Sequence, residues 1–209
     1  MKFFFTTSYY SAYIRHVYEK NQDAGLKNYA EQLKLLMQSC FGMSDFYDNA
    51  LRKIGYEVFQ SVNNAEILQK KWAIENEVKY NDSNWKLDIL IAQLKKNNPD
   101  VLWIHDWADE FGSQFIKQIK GSCPAIKLIL GFCGEAHPHG NYFKEHDIIL
   151  SCSPDTVQFY INNGARAIHL NHAFSHTVLE LTGGENIIPD SNIAFIGSII
   201  YGEEFHNSR

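Results

Sequence analysis

The run Pro99-Asp100-Val101-Leu102-Trp103-Ile104-His105-Asp106-Trp107-Ala108-Asp109-Glu110-Phe111-Gly112 has the pattern of a buried strand with chemistry at its end. Pro99 stops the helical pattern before it, because proline brings no N–H to a helix interior. Val101 to Ile104 are all apolar, which suits a strand buried on both faces. His105 and Asp106 fall where that strand should stop. Asp109 can cap the next helix by accepting from the free N–H groups of its first turn. An imidazole and a carboxylate thus stand at the carboxyl end of a central strand, where open parallel sheets bind their ligands.

Strand and helix patterns alternate on both sides of this run. Lys2 to Thr7 reads as a first strand, followed by the polar aromatic loop Ser8-Tyr9-Tyr10-Ser11. Residues 12–27 are ambiguous, with Tyr13, Val17 and Tyr18 on a short helix. Tyr29, Leu33, Leu36, Met37 and Cys40 share one helical face. Ser44 can cap a helix carrying Phe46, Tyr47, Ala50, Leu51 and Ile54, with Gly55 as its stop. Tyr56 to Val62 is a second strand. Asn64 opens a helix burying Ile67, Leu68, Trp72 and Val78. Asp82 or Ser83 starts another, through Leu87, Ile91 and Leu94.

Beyond the central run, a helix from Asp109 buries Phe115, Ile116 and Ile119 and ends at Gly121. Strands follow at Lys127–Phe132, Asp147–Ser151 and Arg166–Leu170. Ser153 and Pro154 open a helix that Asn163 and Gly164 close. This alternation predicts an α/β fold: a Rossmann-like, mostly parallel sheet with helices on both faces. Residues 1–181 form that domain and 182–192 a linker-like break. Residues 193–209 then either close the same sheet or start a further domain.

The chain has 209 residues and a formal charge of −5, with no basic run, which disfavours nucleic acid as a partner. Four cysteines without Cys-x-x-Cys spacing read as free thiols of a reducing compartment. No stretch approaches ~18 apolar residues, so the expectation is a cytoplasmic protein without leader or spanning helix. Contact with the inner face of a membrane remains compatible. The first loop lacks Gly-x-Gly-x-x-Gly, which disfavours NAD and FAD, and no cofactor is expected.

Each candidate site has a structural alternative. Thr7, Ser8 and Tyr9 end the first strand, where α/β folds often touch ligand. Glu135, His137 and His139 lie in a long polar loop and read as ligand contacts or as incidental surface residues. A zinc site there has good donors but no helical His pair to fix its geometry. Gly197 and Ser198 can offer backbone N–H groups to a diphosphate, or make an ordinary turn. His105 can act on a ligand or bond to backbone as a buried histidine, and Asp106 can be a turn residue. The aromatic stripe Phe46, Tyr47, Trp72, Trp85 is either core or a sugar-stacking surface. His172 and Ser175 are expected to line the hinge side of the cleft.

Trp103-Ile104-His105-Asp106-Trp107 resembles the His-x-His-[Asp/Glu] segment of GT-B glycosyltransferases, with Trp103 in place of the first histidine. Further ordered stretches resemble the N-terminal half of CgeB-like and group 1 members: Lys2 to Tyr10, Gly42 to Val58, Phe143 to Ser151 and Leu170 to Ser175. Ile193 to Ser198 resembles the opening strand of their donor half. The resemblance implies the acceptor-side domain of a transferase using a nucleotide-diphosphate sugar and a glycan or other hydroxyl acceptor. His105 would contact sugar or reacting centre. Asp106 would serve as general base on an acceptor hydroxyl. Thr7, Ser8, Tyr9, Glu135, His137 and His139 would bind acceptor, and Gly197 and Ser198 the donor. Without the donor half, a chain of this length should not transfer sugar alone. The alternative is a non-catalytic Rossmann-like module that binds a glycan or a protein. The strand at Asn192–Ser198, left without partner, should also promote weak self-association.

Overall fold

Three consecutive phenylalanines leave the first strand no polar face, so it can be satisfied only inside a sheet. In the computed structural model, which describes residues 1–105, 111–137, 141–181 and 183, β1 (Lys2–Thr7) lies between two neighbours. The other strands are β2 (Glu57–Val62), β3 (Val101–His105), β4 (Leu128–Phe132), β5 (Ile148–Ser151) and β6 (Ala167–His169). All pairings are parallel, in the order β2-β1-β3-β4-β5-β6. The fold is α/β and Rossmann-like, as its sequence pattern predicts.

Among the described residues, eight α-helices connect or follow the strands: α1 (Ser11–Lys20), α2 (Tyr29–Met37), α3 (Phe46–Lys53), α4 (Glu66–Glu75), α5 (Trp85–Asn97), α6 (Ser113–Ser122), α7 (Pro154–Asn162) and α8 (His176–Leu181). Register decides which side chains meet which helices. Phe4, Leu102, Ile104 and Ile129 share one face and pack on Leu87, Leu90 and Leu94 of α5 and Ile116 and Ile119 of α6. Ile149 continues that face under Tyr160 of α7. Phe3, Phe5, Val101 and Trp103 point the other way, onto Tyr47 and Leu51 of α3. The aromatic stripe therefore resolves into core: Tyr47 lies 4.4 Å from Trp103 and Trp72 is buried.

The edge strand β2 is protected by side chains rather than by another strand. The carbonyls of Val58, Gln60 and Val62 accept from Arg52, Tyr29 and Gln69 respectively. Unmet edge groups are a template for unwanted pairing, and these bonds remove it. Behind β2, Ser61 donates to Gln93, Gln93 to Gln69, and Gln69 back to Ser61, a closed ring of buried polar groups.

Several helix starts differ from the sequence expectation. α6 begins at Ser113 with Gly112 at its N-cap, and Asp109 lies outside the described residues. Gly121 is inside α6, which runs on to Ser122. α5 begins at Trp85 after Asn84. Ser44 does not cap α3: its φ is +44°, and its hydroxyl turns back to the carbonyl of Met37. Asn64 does not open α4, which follows Ala65, and Ile67 is exposed. Elsewhere the local signals hold. Ser153 accepts from Thr156 N–H ahead of Pro154, and Gly55 and Gly164 take the left-handed conformation after α3 and α7.

The chain divides into two compact units, Met1–Phe174 and Ser175–Arg209. The first closes ahead of residue 181, where the sequence pattern suggested a boundary. In the second, α8 is the described element, and the expected linker beyond 183 and the strand at Asn192–Ser198 lie outside the described residues. Among the described residues no helix is long and apolar enough to cross a membrane.

Candidate functional site

The chain runs from β1 outward to β2, returns past β1 to β3, and then proceeds through β4, β5 and β6. The direction of winding reverses between β1 and β3. At such a reversal the loops leave in opposite directions and open a crevice at the carboxyl ends of the strands. Thr7 ends β1 and His105 ends β3, paired in register across this point.

The two strand ends are bonded together. The carbonyl of His105 accepts from the Thr7 hydroxyl at 2.8 Å and from the Ser8 N–H at 3.3 Å. Thr7 and Ser8 are both buried. His105 is on the same sheet face as Trp103, and its ring stacks on Phe132 of β4 with centroids 4.4 Å apart and planes 21° apart. The ring is 1% exposed, so it belongs to the floor of the carboxyl edge rather than to an open wall. His172, which follows β6, is exposed and lies 6.2 Å from the same Phe132 ring. Two imidazoles therefore stand near one phenyl ring at this edge.

The Tyr9 ring turns inward. It is 1% exposed and packs with Val17, Leu36, Met37 and Val62, while its hydroxyl donates to the Met37 sulfur at 3.5 Å. Burial pushes its phenol well above the ordinary value. Asn64 causes this placement. Its side-chain oxygen accepts from Tyr9 N–H at 2.9 Å, and its amide donates to Tyr9 C=O at 2.6 Å. With Tyr9 clamped inward, the next residue, Tyr10, is left 56% exposed at the start of α1. Tyr10, Phe41 and Asn64 are the residues of this edge that sequence reading missed. A Tyr-Tyr pair ahead of a helix was the available signal, but nothing local says which of the two turns out.

The loop after β4 emerges at the same edge, one strand further on. Glu135 is exposed. His137 is half-buried, stacked on Tyr142 at 4.0 Å, and its N–H donates to the Tyr160 hydroxyl at 3.0 Å. These contacts pin the loop at His137, two residues after the exposed Glu135. Below the loop, burial pushes the Cys133 thiol and the Tyr160 phenol up to about 12. Among the described residues no three His, Cys, Asp or Glu side chains stand together as a metal site. Asp106, His139, Gly197 and Ser198 lie outside the described residues.

Compared with known proteins, the chain matches no family model, no curated protein and no solved structure. The edge itself therefore carries the functional reading. Its exposed groups are the Tyr10 phenol, the Glu135 carboxylate and the His172 imidazole, while Thr7, Ser8 and His105 are buried at the strand ends.

Proposed function

We propose that this chain is the acceptor-binding half of a GT-B glycosyltransferase. In the complete enzyme a sugar would pass from a nucleotide-diphosphate donor to a glycan or other hydroxyl acceptor. One observation carries the reading. His105, the residue that matches the second histidine of the His-x-His-[Asp/Glu] segment, ends β3 at the winding reversal, bonded through its carbonyl to Thr7 and Ser8. The all-parallel sheet and the order of the resembling stretches along it support the same reading.

In this proposal Asp106 takes the proton of the acceptor hydroxyl as it attacks, and His105 holds the floor against which the sugar sits. Glu135 and the loop pinned at His137 approach from the β4 side. Gly197 and Ser198 would meet the diphosphate of a donor held mainly by another domain. The burial of His105 favours a second reading, a Rossmann-like module that binds glycan or protein without catalysis.

Nuclear magnetic resonance titration tests the first reading. Oligosaccharides should shift resonances at the carboxyl ends of β1, β3 and β4, His105→Gln should weaken that binding, and nucleoside diphosphates should leave the edge unmoved. Nucleotide binding at this edge with no response to oligosaccharide would overturn the proposal. Reading the coding sequence past Arg209 separates the two alternatives. Further alternating strands and helices with a late carboxylate pair favour the transferase, and a stop codon favours the module.

A further inference from the structure

The backbone around Tyr10 breaks local rules at several positions together. Tyr10 occupies the N-cap of α1, where Ser, Asp or Asn would accept from the free N–H groups, and it makes no side-chain cap bond. Between α2 and α3, Cys40, Gly42 and Ser44 have φ of +53°, +61° and +44°. Left-handed backbone is costly for the two that are not glycine. Sequences keep such departures where a site needs them.

What these departures build is a narrow aromatic cleft of about 120 Å³, lined by Tyr9, Tyr10, Phe41 and Gly42. Phe41 is fixed: it stacks on Tyr13 at 4.1 Å and 14° and meets Tyr9 edge-on at 5.6 Å. Tyr13 is itself anchored, its hydroxyl donating to the carbonyl of Leu36 at 2.6 Å. Tyr10 stands 5.9 Å from Phe41 at 68°, forming the exposed wall. Gly42 is the floor. A Cβ there would come within 3.4 Å of the Tyr9 ring, on backbone that disfavours any side chain. Beside the stacked pair, Ser39 and Tyr13 hydroxyls lie 2.6 Å apart in an exposed position.

We propose that this cleft is a stacking subsite for one sugar ring of the acceptor, a deepening that rests on the acceptor-binding reading above. Its place fits: Tyr10 directly follows the Thr7–Tyr9 segment that is bonded to His105 and Asn64. Its volume lies below that of a cavity that encloses benzene, ~150 Å³, so only the face of one ring seats in it and the rest of the ligand stays outside. The open Tyr10 side lets one ring enter edge-first. Aromatic walls take the C–H face of a pyranose, and the neighbouring hydroxyls take its O–H groups.

The experiment is a titration of the full chain with maltotetraose, cellotetraose and chitotetraose, followed by resonance shifts and by calorimetry. At least one should bind the wild-type protein and shift Gly42 and Phe41. Tyr10→Ala should weaken that binding about tenfold, while Tyr10→Phe keeps it within about twofold, as expected for a ring contact. Circular dichroism confirms folding of both, and Phe41→Leu provides a second loss of wall on the opposite side. Wild-type binding that Tyr10→Ala and Phe41→Leu leave unchanged overturns the subsite but leaves the acceptor reading standing. Binding of none of the oligosaccharides overturns both. Phenol or indole binding in the cleft without any sugar response overturns the ligand class.

Discussion

Asn64 links the fold to the candidate site, and its replacement has a calculable effect. Asn64→Ala removes the acceptor for Tyr9 N–H and the donor for Tyr9 C=O. A buried group left without its partner costs ~1–3 kcal/mol. Both bonds are part-buried, so water reaches the freed groups in part, and the expected total is about 2–3 kcal/mol. For a chain of this size that lowers Tm by about 4–12 °C. Urea denaturation with an unchanged m value is the assay, because the loss is of native stability rather than of compactness.

Asn64→Asp separates the two bonds. A carboxylate still accepts from Tyr9 N–H, but its other oxygen now faces a carbonyl that the amide had approached to 2.6 Å. Two acceptors repel, so the folded state favours the protonated acid and raises its pKa above the unfolded value. The sign follows: relative to wild type, this variant is best near pH 4 and loses stability as pH rises through the folded pKa toward about pH 7. The deficit of Asn64→Ala should not change over that window. A loss below ~0.5 kcal/mol for Asn64→Ala, within the range of an ordinary surface change, would refute the clamp. So would an Asn64→Asp deficit that grows on acidification.

Gly131 lies in β4 beneath Phe143 and His146, and an added Cβ would stand 2.9 Å and 2.8 Å from their rings. Gly131→Ala should destabilise the protein by about 1–3 kcal/mol through overpacking, with Phe143→Leu restoring part of it, as chemical denaturation of the single and double variants will tell. The Cys133 thiol is pushed up to about 12 chiefly by burial, so almost none is thiolate near neutrality. Iodoacetamide at about pH 8 should leave Cys133 unmodified in the folded protein and alkylate it in urea; peptide mass mapping that finds it modified at the rate of an unfolded thiol contradicts its placement.

The strands could be read from the chain because their signal is local. Phe3-Phe4-Phe5 and Val101 to Ile104 have no polar face to expose, and each became an interior strand. The parallel order followed from the helices between them. Helix starts were less readable, and at two of them the reason is the same. Ser44 and Asn64 are cap-forming residues whose polar atoms found better partners elsewhere: the carbonyl of Met37 for Ser44, and the backbone of Tyr9, 55 residues away, for Asn64. Propensity describes what a side chain does when only its neighbours compete for it.

That same competition hid half of the candidate site. Tyr9 and Tyr10 are identical in chemistry, and both sit in the loop that the strand pattern points to. Which of them faces solvent depends on Asn64 holding Tyr9 at both its N–H and its C=O. The inward residue then fills the space beside Val62 and Leu36, and its neighbour takes the surface. Likewise the edge at His105 follows from strand order, while its depth below the surface follows from Phe132, a ring on another strand. A linear pattern specifies the edge on which chemistry gathers. Polar contacts between residues far apart in sequence then select which side chain faces outward from it, and beside β1 the Asn64 clamp selects Tyr10.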